Sequence, residues 1–209
     1  MNELEWNRCT NAAEMILYLW SLEEPVASDY VLSVKIIVGR DDATATPHKD
    51  LNARLHRYYL ASCRRIWKLL PLKASRGSVE LGELWVEGKA SDLWLHRYDW
   101  HSEAAAFRID YAENDDEISD VLDAFHAIPK DELRSLLHPP EIADRIEPRE
   151  LMKAAAYFAN YAMNYRFVRR EGPPREKYWP FLNADLLRQF VPFPGDGKAN
   201  SAESTHQPD

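Results

Sequence analysis

The chain has 209 residues, of which 45% are hydrophobic and 29% are charged, with a formal net charge of −8 at pH 7. These values are typical of a soluble globular protein with one ordinary core, and the negative charge argues against general binding to nucleic acid or anionic membranes. Only two cysteines occur, Cys9 and Cys63, so we expect no disulfide framework and a cytoplasmic location. The N-terminal segment is acidic and polar, and no apolar run approaches about 20 residues, so we expect neither a secretory signal nor a membrane span.

The first fifty residues predict two helices followed by an ambiguous segment. A short helix spans Glu3–Arg8, and a second one follows a cap at Thr10 or Asn11. Residues 30–38 are rich in β-branched side chains, which favour a strand, but a lone strand has no partner here. We therefore predict a helix for this segment, with a minor strand as the alternative. Residues 23–49 as a whole are interpreted as an insertion or a loop-rich segment.

The longest uninterrupted amphipathic pattern lies between Arg54 and Leu70 and contains neither glycine nor proline. At 100° per residue its apolar positions share one face, which we predict to lie in the core: Leu55, Tyr58, Tyr59, Ser62, Ile66, Leu69 and Leu70. Its basic residues fall on another side: Arg54, Arg57, Arg64, Arg65 and Lys68. Pro71 is predicted to end this helix, around which we expect the other helices to pack.

Capping residues and prolines then divide the rest of the chain into further helices. The predicted segments are Ser75–Gly88, Ser91–Glu113, Asp115–Pro129, Lys130–Leu137, Pro148–Arg170 and Asn183–Phe190. Together the patterns predict an all-α, single-domain helical bundle of about seven to nine helices over residues 1–193. Residues 194–209 are polar and lack apolar anchors, so we predict a disordered tail.

The segment Ser91–Glu113 is apolar on two flanks. Trp94, Tyr98, Ala105 and Ala112 lie on one, and Leu93, Trp100, Ala104, Phe107 and Tyr111 on the other. Such a helix usually lies between neighbours, and we expect that arrangement here. Residues 110–123, which follow, contain seven acids and no base. We interpret this acidic run as a helix cap and a solvated helix face.

The chain also resembles a set of uncharacterised planctomycete paralogues. These proteins begin with an EW…CT…ML…L pattern, matched here by Glu5-Trp6, Cys9-Thr10, Met15 and Leu19. They continue with a helix similar to residues 61–70, a stretch similar to residues 75–80, and an ADLLR segment similar to residues 184–188. Ser62 departs from the family pattern, which has a second cysteine there. The resemblance implies an intracellular helical bacterial protein and transfers no catalytic residue.

One chemical constellation on the predicted helices could bind a metal. His96, Asp99 and Glu103 share a helical side at i, i+3 and i+7, and a histidine with two carboxylates is a ligand set for divalent ions. No HExxH motif and no matching pair on a second helix accompany them, so we interpret this side as a solvated polar face. No glycine-rich phosphate loop occurs, and we predict no cofactor. Cys63 is interpreted as a buried structural thiol, and His101 as a histidine at the edge of the core.

The basic side of the central helix is the other candidate site. It could contact phosphates as a recognition helix does, but no helix-turn-helix signature accompanies it and nucleic acid is an improbable partner for so acidic a chain. We expect these cations to pair with the acidic run, within the fold or across a self-association contact. The leading hypothesis is a non-enzymatic intracellular protein-interaction or regulatory module, with a protein partner or self-association. The alternatives are a metal-dependent enzyme using the helical His/acid face and a nucleic-acid binder using the basic face.

Overall fold

The computed structural model describes residues 1–22, 49–168 and 174–194, and all regular structure in them is helical. Nine α-helices occur in these residues: α1 (Glu3–Arg8), α2 (Ala12–Ser21), α3 (Lys49–Arg65), α4 (Lys73–Val86), α5 (Asp92–Asp110), α6 (Ser119–His126), α7 (Lys130–Leu136), α8 (Pro148–Val168) and α9 (Ala184–Phe190). Four 3-10 helices join them: Trp67–Leu69, Asp115–Ile118, Pro140–Asp144 and Glu176–Phe181. The predicted all-α fold with seven to nine helices is confirmed. Residues 23–48, with the ambiguous segment 30–38, and the predicted tail from residue 195 lie outside the described residues.

The helix with the most neighbours is α8, which packs against α3, α4, α5 and α6. Its buried surface carries many small residues: Ala154, Ala155, Ala156, Ala159 and Ala162. Small side chains allow neighbouring backbones to approach closely, so one helix can serve several partners. The expectation that the fold is organised around Arg54–Leu70 is therefore corrected. That segment forms one side of the core, and α8 lies at the centre of the core, between the other helices.

Glycines on α4 lie where this helix closely approaches its neighbours. A β-carbon at Gly82 would lie 2.7 Å from Leu60 Cδ2 on α3 and 3.4 Å from Met163 Cα on α8. A side chain at this position would therefore force Leu60 to move. Near the start of α4, a β-carbon at Gly77 would collide with the Tyr98 hydroxyl of α5, at 2.0 Å. The two glycines, which weaken an isolated helix, let α4 dock against α3, α5 and α8.

The predicted phase of α3 is confirmed. Its seven predicted core residues are all buried: Leu55, Tyr58, Tyr59, Ser62, Ile66, Leu69 and Leu70. The predicted length is wrong, because the α-helix ends at Arg65 and a 3-10 turn follows. Leu70 leaves helical dihedrals at φ −116°, as expected of a residue before proline. The tighter turn lets both Ile66 and Leu69 face the core.

Side-chain and backbone caps explain where several helices begin and end. Asn2, Asn11 and Asn183 accept hydrogen bonds from the first backbone amides of α1, α2 and α9. After α4, Gly88 adopts φ +74°, and the Lys89 amide donates to the Leu84 carbonyl at 2.8 Å. This is the Schellman arrangement that glycine favours, and it confirms the predicted stop at Gly88.

The C-terminal helix α9 closes the structure onto α1. The Arg188 guanidinium donates to the Trp6 carbonyl at 2.9 Å and also to the Cys9 carbonyl, beyond the C-terminal end of α1. Beside it, the Tyr58 hydroxyl of α3 accepts a hydrogen bond from the Asn183 amide at 3.0 Å. The first and last described helices are thereby fixed to each other and to α3.

We predict that Ile66→Ala lowers the free energy of unfolding by roughly 2–5 kcal/mol, because Ile66 is fully buried and truncation leaves a cavity. Arg64→Ala, two residues away on the exposed side, is the matched control. It should lose about 1 kcal/mol or less, since an exposed ion pair contributes little. Urea unfolding of both variants measures the contrast, and equal losses would contradict the assignment of the two faces.

Candidate functional site

The basic side of α3 is mostly engaged within the fold. Arg64 binds Glu83 of α4 through two hydrogen bonds of 2.8 and 2.6 Å and lies 4.1 Å above the Trp67 ring. Lys68 contacts Glu132 of α7 at 2.7 Å. The half-buried Arg65 donates to the carbonyls of residues 135 and 181, and burial lowers its pKa. These three cations hold neighbouring segments against α3, which leaves them poorly available to phosphates.

The expected pairing of this basic side with the acidic run is wrong for Arg64 and Lys68, whose acidic partners lie on α4 and α7. Arg54 is half-buried and already engaged, while Arg57 is exposed. Within the acidic run, Asp120 instead binds Arg108 of α5 at 2.6 Å, and this hydrogen bond lowers the pKa of the carboxyl. The run also supplies the predicted cap, because Asn114 accepts from the amides of Asp116 and Glu117. The solvated interpretation of the run holds, with Arg108 and Lys153 as its local cations.

The His/acid face of α5 is divided by the packing of α8. Asp99 accepts hydrogen bonds from the side-chain amides of Asn160, at 2.9 Å, and Asn164. His96 is exposed on the solvent side of the same helix, and Glu103 is half-buried. In the described part of the chain, no group of three or more His, Cys, Asp or Glu side chains is arranged to hold a metal ion. The geometry therefore assigns Asp99 a structural task between two helices.

The prediction for Cys63 is confirmed, whereas the prediction for His101 is wrong. Cys63 is fully buried, as predicted, and burial raises its thiol pKa well above the usual value, outweighing the opposite influence of Arg64. The thiol is therefore protonated at neutral pH and shielded from reagents. His101 was predicted at the edge of the core, but it is exposed, because the buried flank of α5 begins one residue further on, at Ser102.

The outer flank of α5 was expected to be covered by neighbouring helices, but it is exposed. We define the outer face of α5 as Leu93, Arg97, Trp100, Ala104, Phe107 and Tyr111. Trp100 is 73% exposed, Tyr111 74% and Leu93 55%, and Trp94 at its edge is 63% exposed. The expectation that both apolar flanks lie between neighbours is corrected, because on the other predicted flank only Ala105 and Ala112 are buried and Trp94 is exposed.

The buried flank of α5 explains why these aromatic residues lie outside. It carries the small residues Ser102, Ala105 and Ala106 together with Leu95 and Ile109. Ser102 Oγ lies 2.6 Å from Ser78 Oγ of α4, a distance that a larger side chain would not allow. Close packing against α4 and α8 thus requires small residues inward. Leu93, Trp100 and Tyr111 remain exposed on the other side, where Phe107 alone packs its ring against Tyr157 of α8.

The outer face is continuous and only weakly charged. The Phe107 and Tyr111 rings lie 5.4 Å apart in an edge-to-face arrangement, so the face extends past the end of the helix. Arg97 is the single charged residue within it, and it is exposed. Two of the neighbouring charges are paired locally, Arg108 with Asp120 and Asp110 with Lys153 at 3.2 Å, while Glu103 lies at the rim of the face. On a chain with net charge −8, this face is therefore an apolar surface without excess negative charge.

A second surface feature is a shallow depression of about 420 Å³ beside the 3-10 helix Pro140–Asp144. It is lined by Pro139, Glu141, Ile142, Arg145 and Ile146. Its lining has one acidic and one basic side chain and neither cysteine nor histidine, so no set of groups for acid–base or nucleophilic catalysis converges there.

The chain matches no protein family, no curated protein and no solved structure with which it was compared. None of the helices described is long and apolar enough to cross a bilayer. Conclusions about function therefore depend on the surfaces described above.

We predict that Asp99→Ala lowers the free energy of unfolding by roughly 1–3 kcal/mol, because the amides of Asn160 and Asn164 lose their acceptor. The matched control is His96→Ala on the exposed side of the same helix, with a change of about 0.5 kcal/mol or less. Urea unfolding checks both values. Metal retained through purification at one ion per chain, and lost in His96→Ala, would contradict this assignment.

We also predict that the two thiols differ in reactivity. In a Cys9→Ala variant, iodoacetamide should label Cys63 at least about a hundredfold more slowly in buffer than in urea, since a buried protonated thiol must first be exposed. In the reciprocal Cys63→Ala variant, the half-buried Cys9 should be labelled without denaturant. Rapid labelling of native Cys63 would show that it is accessible for chemistry.

Proposed function

We propose that this chain is a non-enzymatic intracellular protein-interaction module that binds through the outer face of α5. The observation that carries the proposal is the exposure of Leu93, Trp94, Trp100 and Tyr111 along one helix. Monomeric proteins seldom expose contiguous apolar patches above a few hundred Å², and larger ones mark interaction surfaces. With about 150–250 Å² per aromatic side chain, Trp100 and Tyr111 on the face and Trp94 at its edge together expose roughly 300–500 Å².

The composition of this face supports binding to a protein. Interface centres are enriched in Trp, Tyr, Phe and Arg and depleted in Lys, Glu and Asp. The outer face has three aromatic residues, one Arg and no acid. Trp100 lies at its middle, where residues that dominate binding energy concentrate.

Other features favour the same proposal over the alternatives. Arg64, Arg65 and Lys68 are occupied inside the fold, which weakens the case for a nucleic-acid surface on α3. Asp99 is engaged by two asparagines, which weakens the case for a metal-dependent enzyme on α5. Both cysteines are free, as a reducing cytoplasm favours. We also propose membership of the planctomycete set described above, which adds no activity.

The proposal predicts that benzoylphenylalanine, a photo-crosslinking amino acid that keeps a large aromatic side chain in place of Trp100, forms a covalent protein adduct in the cells that express the chain. The same amino acid in place of Asp131, whose side chain is 97% exposed away from this face, is the matched control and should form none. A Leu93→Asp change, which places a charge on the apolar surface, should abolish the adduct at position 100. Equal yields at positions 100 and 131, or an adduct insensitive to Leu93→Asp, would contradict the proposal.

A further inference from the structure

The outer face of α5 is arranged symmetrically along the helix. Its positions lie 2, 5 and 9 residues on either side of Ser102, which itself points into the core. Like any helix stripe with alternating steps of three and four residues, this face coincides with itself when the helix direction is reversed. It can therefore pair with an antiparallel copy across a two-fold axis near Ser102, in an interface where the same surface serves both subunits.

The residues brought together by this axis are complementary in size. Trp100 lies opposite Ala104 of the second copy, so the largest side chain of the face meets the smallest, twice. Leu93 lies opposite Tyr111, and Arg97 lies opposite the Phe107 ring, where a guanidinium is attracted to the aromatic surface. Large residues packed into positions with small ones give the interdigitated contact that helix pairs require.

The edges of the face are also compatible with this arrangement. Along one edge, Trp94 lies near Arg108 of the second copy, a second cation–aromatic contact. Along the other, His96 lies near Asp110. Nearest the axis, Glu103 faces its own copy, and this like-charge contact opposes association. On the edge that carries Trp94, Arg97 also lies near Arg108 of the second copy, whose charge is already paired with Asp120. Both like-charge contacts lie towards the rim, where water screens them.

The available area is sufficient for a dimer of ordinary size. Stable interfaces bury about 800 Å² per partner, of which slightly more than half is apolar. The exposed parts of Trp94, Trp100 and Tyr111 amount to roughly 300–500 Å² of apolar surface, at about 150–250 Å² for a whole aromatic side chain. The electrostatics agree, since this face lacks the excess negative charge that makes two copies of a chain with net charge −8 repel.

We infer that the outer face of α5 binds a second copy of this chain, forming a homodimer in which α5 pairs antiparallel with its counterpart across an axis near Ser102. This inference rests on the proposed function and names its partner. In the dimer, Trp100 of each subunit inserts beside Ala104 of the other, and the apolar surface is removed from water.

Sedimentation equilibrium of the purified full-length chain tests the inference through an exchange of the two central residues. The native chain should dimerise reversibly. Trp100→Ala should raise the dimer dissociation constant at least about thirtyfold, as expected for a central Trp. Ala104→Trp should raise it similarly, because two large side chains then oppose each other. The double variant Trp100→Ala/Ala104→Trp restores one large and one small residue at each contact and should return to within about fivefold of the native value.

Leu17→Ala, an exposed apolar residue of α2 outside this face, is the matched control and should leave the dissociation constant unchanged. Thermal melts establish that each variant is folded, as expected for substitutions at exposed positions. A native chain that remains monomeric at about 100 μM, weaker than most specific homodimers, overturns the inference. Loss of the dimer in both single variants without recovery in the double variant also overturns it, because the antiparallel pairing is then wrong.

The crosslink at position 100 separates this outcome from failure of the proposed function. An adduct with twice the mass of the chain supports the homodimer. A second outcome is a monomeric native chain with an adduct of any other mass, which Leu93→Asp abolishes. This outcome overturns the homodimer, while the interaction module stands. Absence of any adduct at position 100, with a monomeric native chain, overturns both.

Discussion

The fold depends on how closely three long helices approach the alanine-lined surface of α8. At Gly82, the backbone of α4 comes so near to α3 and α8 that a β-carbon would be 2.7 Å from a leucine methyl group. Where α5 meets its neighbours, such spacing requires small residues, and α5 provides Ser102, Ala105 and Ala106. The large residues of α5 are consequently excluded from the interior. The exposed aromatic face is thus a result of this packing. The same close packing fixes α5, which carries the face, against α4 and α8.

Periodicity along the sequence was sufficient to predict the helices and the buried side of α3. A 3.6-residue repeat of apolar residues identifies a face, and Ile66, Leu69 and Leu70 are buried as that repeat predicts. The exact end of α3 was not predicted, because the change to a 3-10 turn at residue 66 depends on packing around Trp67. Asparagine and glycine caps, which act over three or four residues, were predicted more accurately than contacts between distant segments.

The candidate sites were predicted less well, because they depend on which helices pack against each other. Hydrophobicity shows that α5 has two apolar flanks, but it does not show which flank meets α8. The large aromatic residues were a misleading signal, since the flank with Ser102 and Ala106 is the buried one. Similarly, the acidic partner of Arg64 is 19 residues away on another helix, and no local charge pattern identifies it. A useful signal in the sequence was the run of small residues on α5, which matches those of α8.

The contact between Arg188 and the end of α1 has a consequence for how the protein is made. The carbonyls of Trp6 and Cys9 receive their guanidinium partner from a residue about 180 positions later, with a separation of 182 for Trp6. A six-residue helix is too short to be stable in isolation. During synthesis, α1 therefore emerges from the ribosome long before α9 can hold it in place. Folding of this end of the molecule is completed only after translation has passed residue 188, and until then the carbonyls of Trp6 and Cys9 lack this partner.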